Sequence, residues 1–344
     1  MSATAPALSP SFRRLIPAAL GRYGVRPRRV RRLAAQVVRV DAGDGSTYAL
    51  RCRPLADRAF GDVPLELAWT AALRRDTDLE PPEPIPGLDG ALVQEVAVPE
   101  VAEPHDCVLF RWIPGVELGE RLTPENLRRL GMLAARLHEH AATFRPPAEL
   151  PVRTLDALIG RGEREVLFSH EHARFLPPAR RAVFEAVAGH FRRTVEKLYA
   201  DPAGRRVVHA DLTPENTKLD RGRLRPLDFY EAIWGYPVQD VALTLYDLRH
   251  FCDCRRHGYA ALRDAFAHGY GARLAWPEAQ AGQIDTLVAG RRLRQANWVL
   301  LHETAPFAAD GTALPDPVAI DGFFERLEAE FRSLLEDGTA GSGP

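Results

Sequence analysis

Three side chains with hard oxygen ends stand out for the chemistry they could do together: Asp211, Asn216 and Asp228. An aspartate and an asparagine supply oxygen ligands suited to Mg²⁺, and a second aspartate close by can orient a hydroxyl and take its proton. They lie in Val207-Val208-His209-Ala210-Asp211-Leu212-Thr213-Pro214-Glu215-Asn216, then Thr217-Lys218-Leu219, a turn at Asp220-Arg221-Gly222-Arg223, and Leu224-Arg225-Pro226-Leu227-Asp228-Phe229. The apolar pairs Val207-Val208 and Leu224 with Leu227 bracket a polar loop and a Gly-containing turn, which predicts short strands joined by a hairpin. Folding that ribbon back is expected to bring Asp211, Asn216 and Asp228 to one mouth. A plain hairpin with exposed acids is the competing reading, and a lone His-x-Asp would leave it ahead.

The full order of residues changes that balance. His-x-Asp, four residues, Asn, then Asp-Phe resembles the catalytic and metal-binding loops of eukaryotic-like kinases. The form His209-Ala210-Asp211-Leu212-Thr213-Pro214-Glu215-Asn216, without the Arg of protein kinases, is similar to the aminoglycoside phosphotransferase/choline kinase superfamily. Trp234-Gly235-Tyr236-Pro237-Val238-Gln239-Asp240-Val241-Ala242 also resembles that family, whose members carry a Gly and a buried Asp after the metal-binding strand. The resemblance implies an α+β, bilobal, protein-kinase-like fold: a small N-lobe with an antiparallel sheet plus a helix, and a larger, mainly helical C-lobe. It implies ATP as phosphoryl donor, Mg²⁺ on Asn216 and Asp228, and Asp211 as the catalytic residue. His209 is expected to shape the loop, Lys218 to reach the transferring phosphoryl, and Asp240 to brace the loop from the start of its helix. Where the family often has Asp-Phe-Asp-Asp, this chain has Asp228-Phe229-Tyr230-Glu231. An amine-bearing acceptor would want carboxylates, and Glu231, Asp247 and Asp253 are the candidates.

The elements that must hold these groups are legible to different degrees. Phe12 to Tyr23 has Leu15, Ala19 and Tyr23 on one helical face, with Gly24 as its stop. Gln36–Val40 and Thr47–Arg51 read as strands around Asp41-Ala42-Gly43-Asp44-Gly45, a hairpin signal. By the resemblance, Arg51 on the third strand grips the nucleotide phosphates where Lys is usual; a guanidinium keeps the charge with a different geometry. Pro64 to Arg75 is expected as a helix with Leu65, Trp69, Ala72 and Leu73 inward, and the family pattern makes Glu66 the partner of that cation. The phosphate-covering turn falls on Arg32-Leu33-Ala34-Ala35-Gln36, which has no glycine; backbone amides of Ala34 to Gln36 are its candidates.

Leu92–Val96 and Cys107–Trp112 complete the predicted sheet, and Ile113-Pro114-Gly115 breaks it as a hinge would. The resemblance puts adenine against the backbone of Arg111 and Ile113, with Phe110 behind it. Thr123-Pro124-Glu125 is a helix start, followed by Leu127, Leu130, Ala134, Leu137 and Ala141 at helical spacing, with His138 beside the stripe as a packed core histidine. Pro178–Tyr199, Val241–Phe251, Tyr259–Tyr270, Pro277–Trp298 and Pro317–Leu335 read as further helices. The domain reading is 1–10 flexible, 11–112 nucleotide-binding, 113–118 hinge, 119–335 catalytic and acceptor-binding, and 336–344 a flexible tail.

Bulk properties narrow the class. The 344 residues are 46% hydrophobic and 26% charged, which suits a two-lobed globular protein. No apolar run approaches the ~20 residues that cross a bilayer, and Met1–Ala7 lacks a signal layout, so a cytoplasmic protein with no membrane partner is expected. Residues 1–54 hold eleven Arg against two acids. No aromatics interleave Arg28 to Arg32 to stack on bases, so nucleic acid is not the expected partner. Cys252-x-Cys254 has the wrong spacing for a zinc knuckle or redox pair.

The resulting expectation is an ATP-dependent phosphotransferase acting on a small-molecule hydroxyl, such as an aminoglycoside, amino sugar or amino alcohol. A bacterial stress-type Ser/Thr protein kinase is the alternative, suggested by the Leu50-Arg51-Cys52-Arg53-Pro54 run and the Gly-poor start. A catalytically silent nucleotide-binding scaffold is the other, suggested by Arg51 and the missing glycines. Retention of both Asp211 and Asp228 argues against silence, and the lack of an activation segment between Phe229 and Trp234 argues against a protein acceptor.

Overall fold

A computed structural model describes residues 10–340 except 57–62, 100, 151–152, 161–162 and 303–316. The chain forms two compact units: residues 1–117, 146–150 and 216–231 in the first, and 118–145, 151–215 and 232–344 in the second.

The first unit is built on a five-stranded antiparallel sheet. Its strands are β1 (Pro27–Ala34), β2 (Val37–Ala42), β3 (Thr47–Pro54), β4 (Val93–Val96) and β5 (His105–Arg111), in the order β1-β2-β3-β5-β4. Helices α1 (Pro10–Arg22) and α2 (Val63–Asp76) pack against it. Side chains alternate across a strand, so β5 sends Cys107 and Leu109 to the face holding Leu15 and Ala19 of α1 and Tyr23 just beyond it. Val108 and Phe110 go to the other face, with Val63 and Leu67 of α2. Burial on both faces explains why Cys107–Phe110 is an unbroken apolar run rather than an alternating one. Tyr23 Oη donates to the carbonyl of Cys107 at 2.7 Å, pinning the end of α1 to β5.

This unit also contains a small sheet of β6 (Val116–Glu117), β8 (Thr217–Asp220) and β9 (Arg223–Pro226). The β8–β9 pairing makes the expected hairpin, turning at Arg221 and Gly222, both left-handed at φ 49° and 81°. Its pairing partners differ from the sequence reading in one respect. Val207-Val208 does not join it: β7 (Arg206–Val208) pairs in the second unit with β10 (Ile233–Gly235), a strand the sequence reading left out. Residues in so short an apolar run carry no register information of their own.

The second unit is mainly helical: α3 (Pro124–Thr143), α4 (Pro178–Ala200), α5 (Pro237–His250), α6 (Tyr259–Gly271), α7 (Gln283–His302) and α8 (Pro317–Ala340). Thr123 caps α3 by accepting from Asn126 N–H at 3.2 Å, and the predicted stripe of Leu127, Leu130, Ala134, Leu137 and Ala141 is buried. Two glycines let α3 and α6 approach closely. A Cβ on Gly131 would meet the Phe266 carbonyl oxygen at 2.0 Å, and one on Gly269 would meet that of Arg128 at 1.8 Å. Phe184 of α4 stacks on Phe324 and edges Phe331 of α8. α7 begins at Gln283 rather than Pro277, and α8 runs to Ala340, so the predicted flexible tail is helical at 336–340. The segments 1–9 and 341–344 lie outside the described residues. Among the described residues, no helix is long and apolar enough to cross a membrane.

Candidate active site

In the first unit, β3 and α2 bring Arg51 and Glu66 face to face. Arg51 Nη1 donates to Glu66 Oε1 at 3.0 Å, and Nη2 donates to Oε2, so the pair is bidentate. Arg51 is 6% exposed and Glu66 1%. Burial pushes the Glu66 carboxyl above its ordinary range while the Arg51 charge and hydrogen bonds pull it back. In such a pair, desolvation cancels much of the Coulombic gain, whereas deleting one partner strands a buried charge. The same Nη1 lies 3.3 Å from Asp228 Oδ1. The third-strand cation, the helix acid and the proposed metal acid therefore meet at one guanidinium.

Asp228 follows β9 with φ 52°, a left-handed conformation that an L-residue adopts only when its surroundings hold it there. Two contacts do so. Leu227 N–H donates to the Asn216 carbonyl at 2.8 Å, closing the hairpin so that Asn216 and Asp228 flank its open end. Phe229, fully buried, edges onto Trp69 of α2 at 5.2 Å between centroids, which ties this turn to the helix that carries Glu66. An aspartate beside an asparagine offers the hard, oxygen-only donor set that Mg²⁺ prefers, so the residues fit that ion.

Other predicted residues of this unit occupy different settings. Lys218 pairs with Glu117 across β6–β8 at 3.1 Å. The β1–β2 connection is only Ala35-Gln36; Arg32–Ala34 belong to β1, so the expected five-residue turn is narrower. Gln36 O accepts from Cys52 N–H at 2.9 Å. Arg111 N–H donates to the Glu83 carbonyl at 2.8 Å, so of that residue's backbone only the carbonyl can serve a base. Its side chain pairs with Glu83. Ile113 lies two residues past the end of β5, and Phe110 lies beneath Arg51, with 5.2 Å from its ring to the guanidinium carbon. Glu231 is half-buried in the single turn Phe229–Glu231.

The second unit holds Asp211 in a loop that is hydrogen-bonded throughout. Asp240, on the first turn of α5 and 1% exposed, accepts from His209 N–H at 3.1 Å and Ala210 N–H at 2.7 Å. Its Oδ2 also takes His138 Nε2–H at 3.0 Å, and Tyr270 Oη bonds His138 Nδ1 at 3.0 Å. Burial alone would raise the Asp240 carboxyl, but the bond and charge of His138, with His209 and the Ala210 amide, hold it below the ordinary range. These bonds keep Ala210 left-handed at φ 59°, immediately before Asp211. His209 Nδ1 accepts from Asp211 N–H at 3.2 Å. Thr244 Oγ1 donates to the Leu212 carbonyl at 2.7 Å from the next turn of α5.

Sequence reasoning saw Asp240 but read His138 only as packed core and passed over Tyr270 and Thr244. The available signal was polar residues on otherwise apolar helix faces, which need partners when buried. Of the acceptor candidates here, Asp247 is half-buried and pushed up to about 6 by burial, with Glu215 adding to the rise and a Cys252 thiol bond opposing it. Asp253 is exposed, paired with Arg255 two residues on, and lowered to about 2 by that bond. Its contacts are those of a solvated ion pair.

Comparison with known proteins follows the same lines. The profile described as "Phosphotransferase enzyme family" matches residues 28–281. Among solved structures, the chain resembles a microcompartment-associated aminopropanol kinase at TM-score 0.69 and 21% identity, covering 94% of this chain and 96% of that one. It resembles an amicoumacin kinase, solved in complex with AMP-PNP, Ca²⁺ and Ami, at TM-score 0.69 and 17% identity, covering 94% and 96%. A choline kinase from Streptococcus pneumoniae aligns at TM-score 0.52 and 13% identity, covering 88% and 92%. No curated protein matches significantly by sequence.

Proposed function

The chain belongs to the phosphotransferase enzyme family, and on that premise we propose that it moves the γ-phosphoryl group of MgATP to a hydroxyl of a small molecule. The observation that carries the reading is Arg51 clamped on Glu66 with its Nη1 3.3 Å from Asp228. Arg51 orients the phosphates, and Glu66 fixes Arg51. Asn216 and Asp228 would hold Mg²⁺, which when bound neutralises charge on the triphosphate. Asp211 accepts the proton of the acceptor hydroxyl as its oxygen bonds to the γ-phosphorus and the bond to the β–γ bridging oxygen breaks, releasing ADP. Only four residues separate Asp211 from Asn216 in the chain, which supports assigning both to one reaction.

Adenine would rest against the Arg111 carbonyl and the Ile113 backbone. With Lys218 held by Glu117, charge at the transferring group falls to the arginines of β3. Glu231, Asp247 and Asp253 remain the proposed acceptor-side carboxylates, and a cytoplasmic setting is proposed with them. The structures it resembles include aminopropanol and choline kinases, so amino alcohols are the first acceptors to try. The test is ATP consumption against pooled amino alcohols, amino sugars, aminoglycosides and a generic protein substrate. Turnover with a small alcohol that Asp211→Ala abolishes supports the reading; transfer to protein alone, or none in any pool, defeats it.

A further inference from the structure

We propose that Arg53, seated over the ring of Tyr230, forms a second oxyanion subsite for the nucleoside triphosphate, an inference that rests on ATP binding by the first unit. Residues two apart on a strand share a face, so Arg53 emerges from β3 on the side of Arg51. Arg51 already spends donors on both oxygens of Glu66 and on Asp228. A guanidinium so committed has few N–H groups left for a polyphosphate.

Arg53 carries a donor still to be placed: among the described residues its Nε is buried and has no hydrogen-bond partner, while its charge acts on Glu66. Buried polar atoms in folded proteins are nearly always satisfied, and an orphan among them points to a missing partner. Its guanidinium carbon stands 3.9 Å from the centroid of Tyr230, and that of Arg51 stands 5.1 Å from the same ring. Tyr230 thus supports two cations at once. An acid at position 230 would pair with Arg53 and cancel its charge. The aromatic ring instead holds the guanidinium by cation–π attraction and leaves its N–H edge for a phosphate oxygen. The tyrosine after Asp228-Phe229 and the doubled arginine of β3 then belong to one arrangement: a ring replaces a carboxylate so that a second guanidinium serves the phosphates.

The experiment is calorimetric titration of the full chain with ATP, ADP, AMP and adenosine in Mg²⁺, for the native protein, Arg53→Gln, Arg53→Lys and Tyr230→Leu. Arg53→Gln is expected to weaken ATP by about tenfold to a hundredfold, the scale of a charge-assisted hydrogen bond, while adenosine is unchanged. Arg53→Lys and Tyr230→Leu should fall between, since each keeps part of the arrangement. If Arg53→Gln binds all four compounds like the native protein, or loses all four alike, the subsite does not exist. Should Arg53→Gln fail to fold, Arg53→Lys decides: an undiminished preference for ATP over adenosine overturns the proposal. A native protein that binds none of the four defeats the parent reading of ATP binding instead.

Discussion

Replacing Asp240 by Asn tests how the loop that carries Asp211 is held. The carboxylate accepts three bonds, from His209 N–H, Ala210 N–H and His138 Nε2–H. An amide of the same shape has one oxygen, and its NH₂ must face a donor that Asp240 now accepts. Each lost charge-assisted bond costs about 1.5–3 kcal/mol. Breaking a fully buried set of this kind costs about 3–5 kcal/mol. Ala210 also loses what keeps it left-handed, so Asp211 moves with it. For a unit of this size the stability loss corresponds to a fall of about 10 °C in melting temperature.

The pH dependence has a definite sign. The folded Asp240 pKa is depressed, so its stabilisation is complete above the free aspartate value of about 3.9 and drains away as pH falls through the lower folded value. The amide variant has no such acid limb. Thermal unfolding from pH 7 down to pH 3, alongside turnover, measures both. A melting temperature within a degree or two of native, with turnover intact, would refute the claim that Asp240 positions the loop.

Other substitutions probe other parts. Arg51→Lys trades a bidentate grip on Glu66 for a single ammonium, so kcat/KM should fall about tenfold to a hundredfold yet stay measurable; native kinetics would show that the fork does not matter. Asp247 has a pKa raised to about 6, so its charge destabilises the fold as pH climbs past about 3.9 and most fully above 6. Asp247→Asn should therefore stabilise at pH 7, by no more than about 3 kcal/mol, with the gain gone below pH 4; denaturant unfolding at both pH values checks this, and a loss of stability at pH 7 would contradict it. Gly269→Ala drives a methyl into the Arg128 carbonyl and should cost about 1–3 kcal/mol or more, read as a lower urea midpoint; an unchanged midpoint would mean that α3 and α6 can part freely.

The sequence by itself determined the family and most of the elements. Asp211, Asn216 and Asp228 are spaced in a family pattern, and the helices show in their apolar stripes because a 3.6-residue period is a local property. The α3 start at Thr123-Pro124 was legible for the same reason: a cap is made by residues next to one another. Pairing is not local. Only the tertiary structure decided that Val207-Val208 joins Ile233-Trp234 rather than the hairpin, that Lys218 answers to Glu117, and that Tyr270 is linked through His138 and Asp240 to the backbone before Asp211. Partners such as His138 and Asp240, 102 residues apart, meet because folding buries them and buried polar groups must be satisfied. Residue type announces that demand, but which distant group meets it depends on how the helices pack.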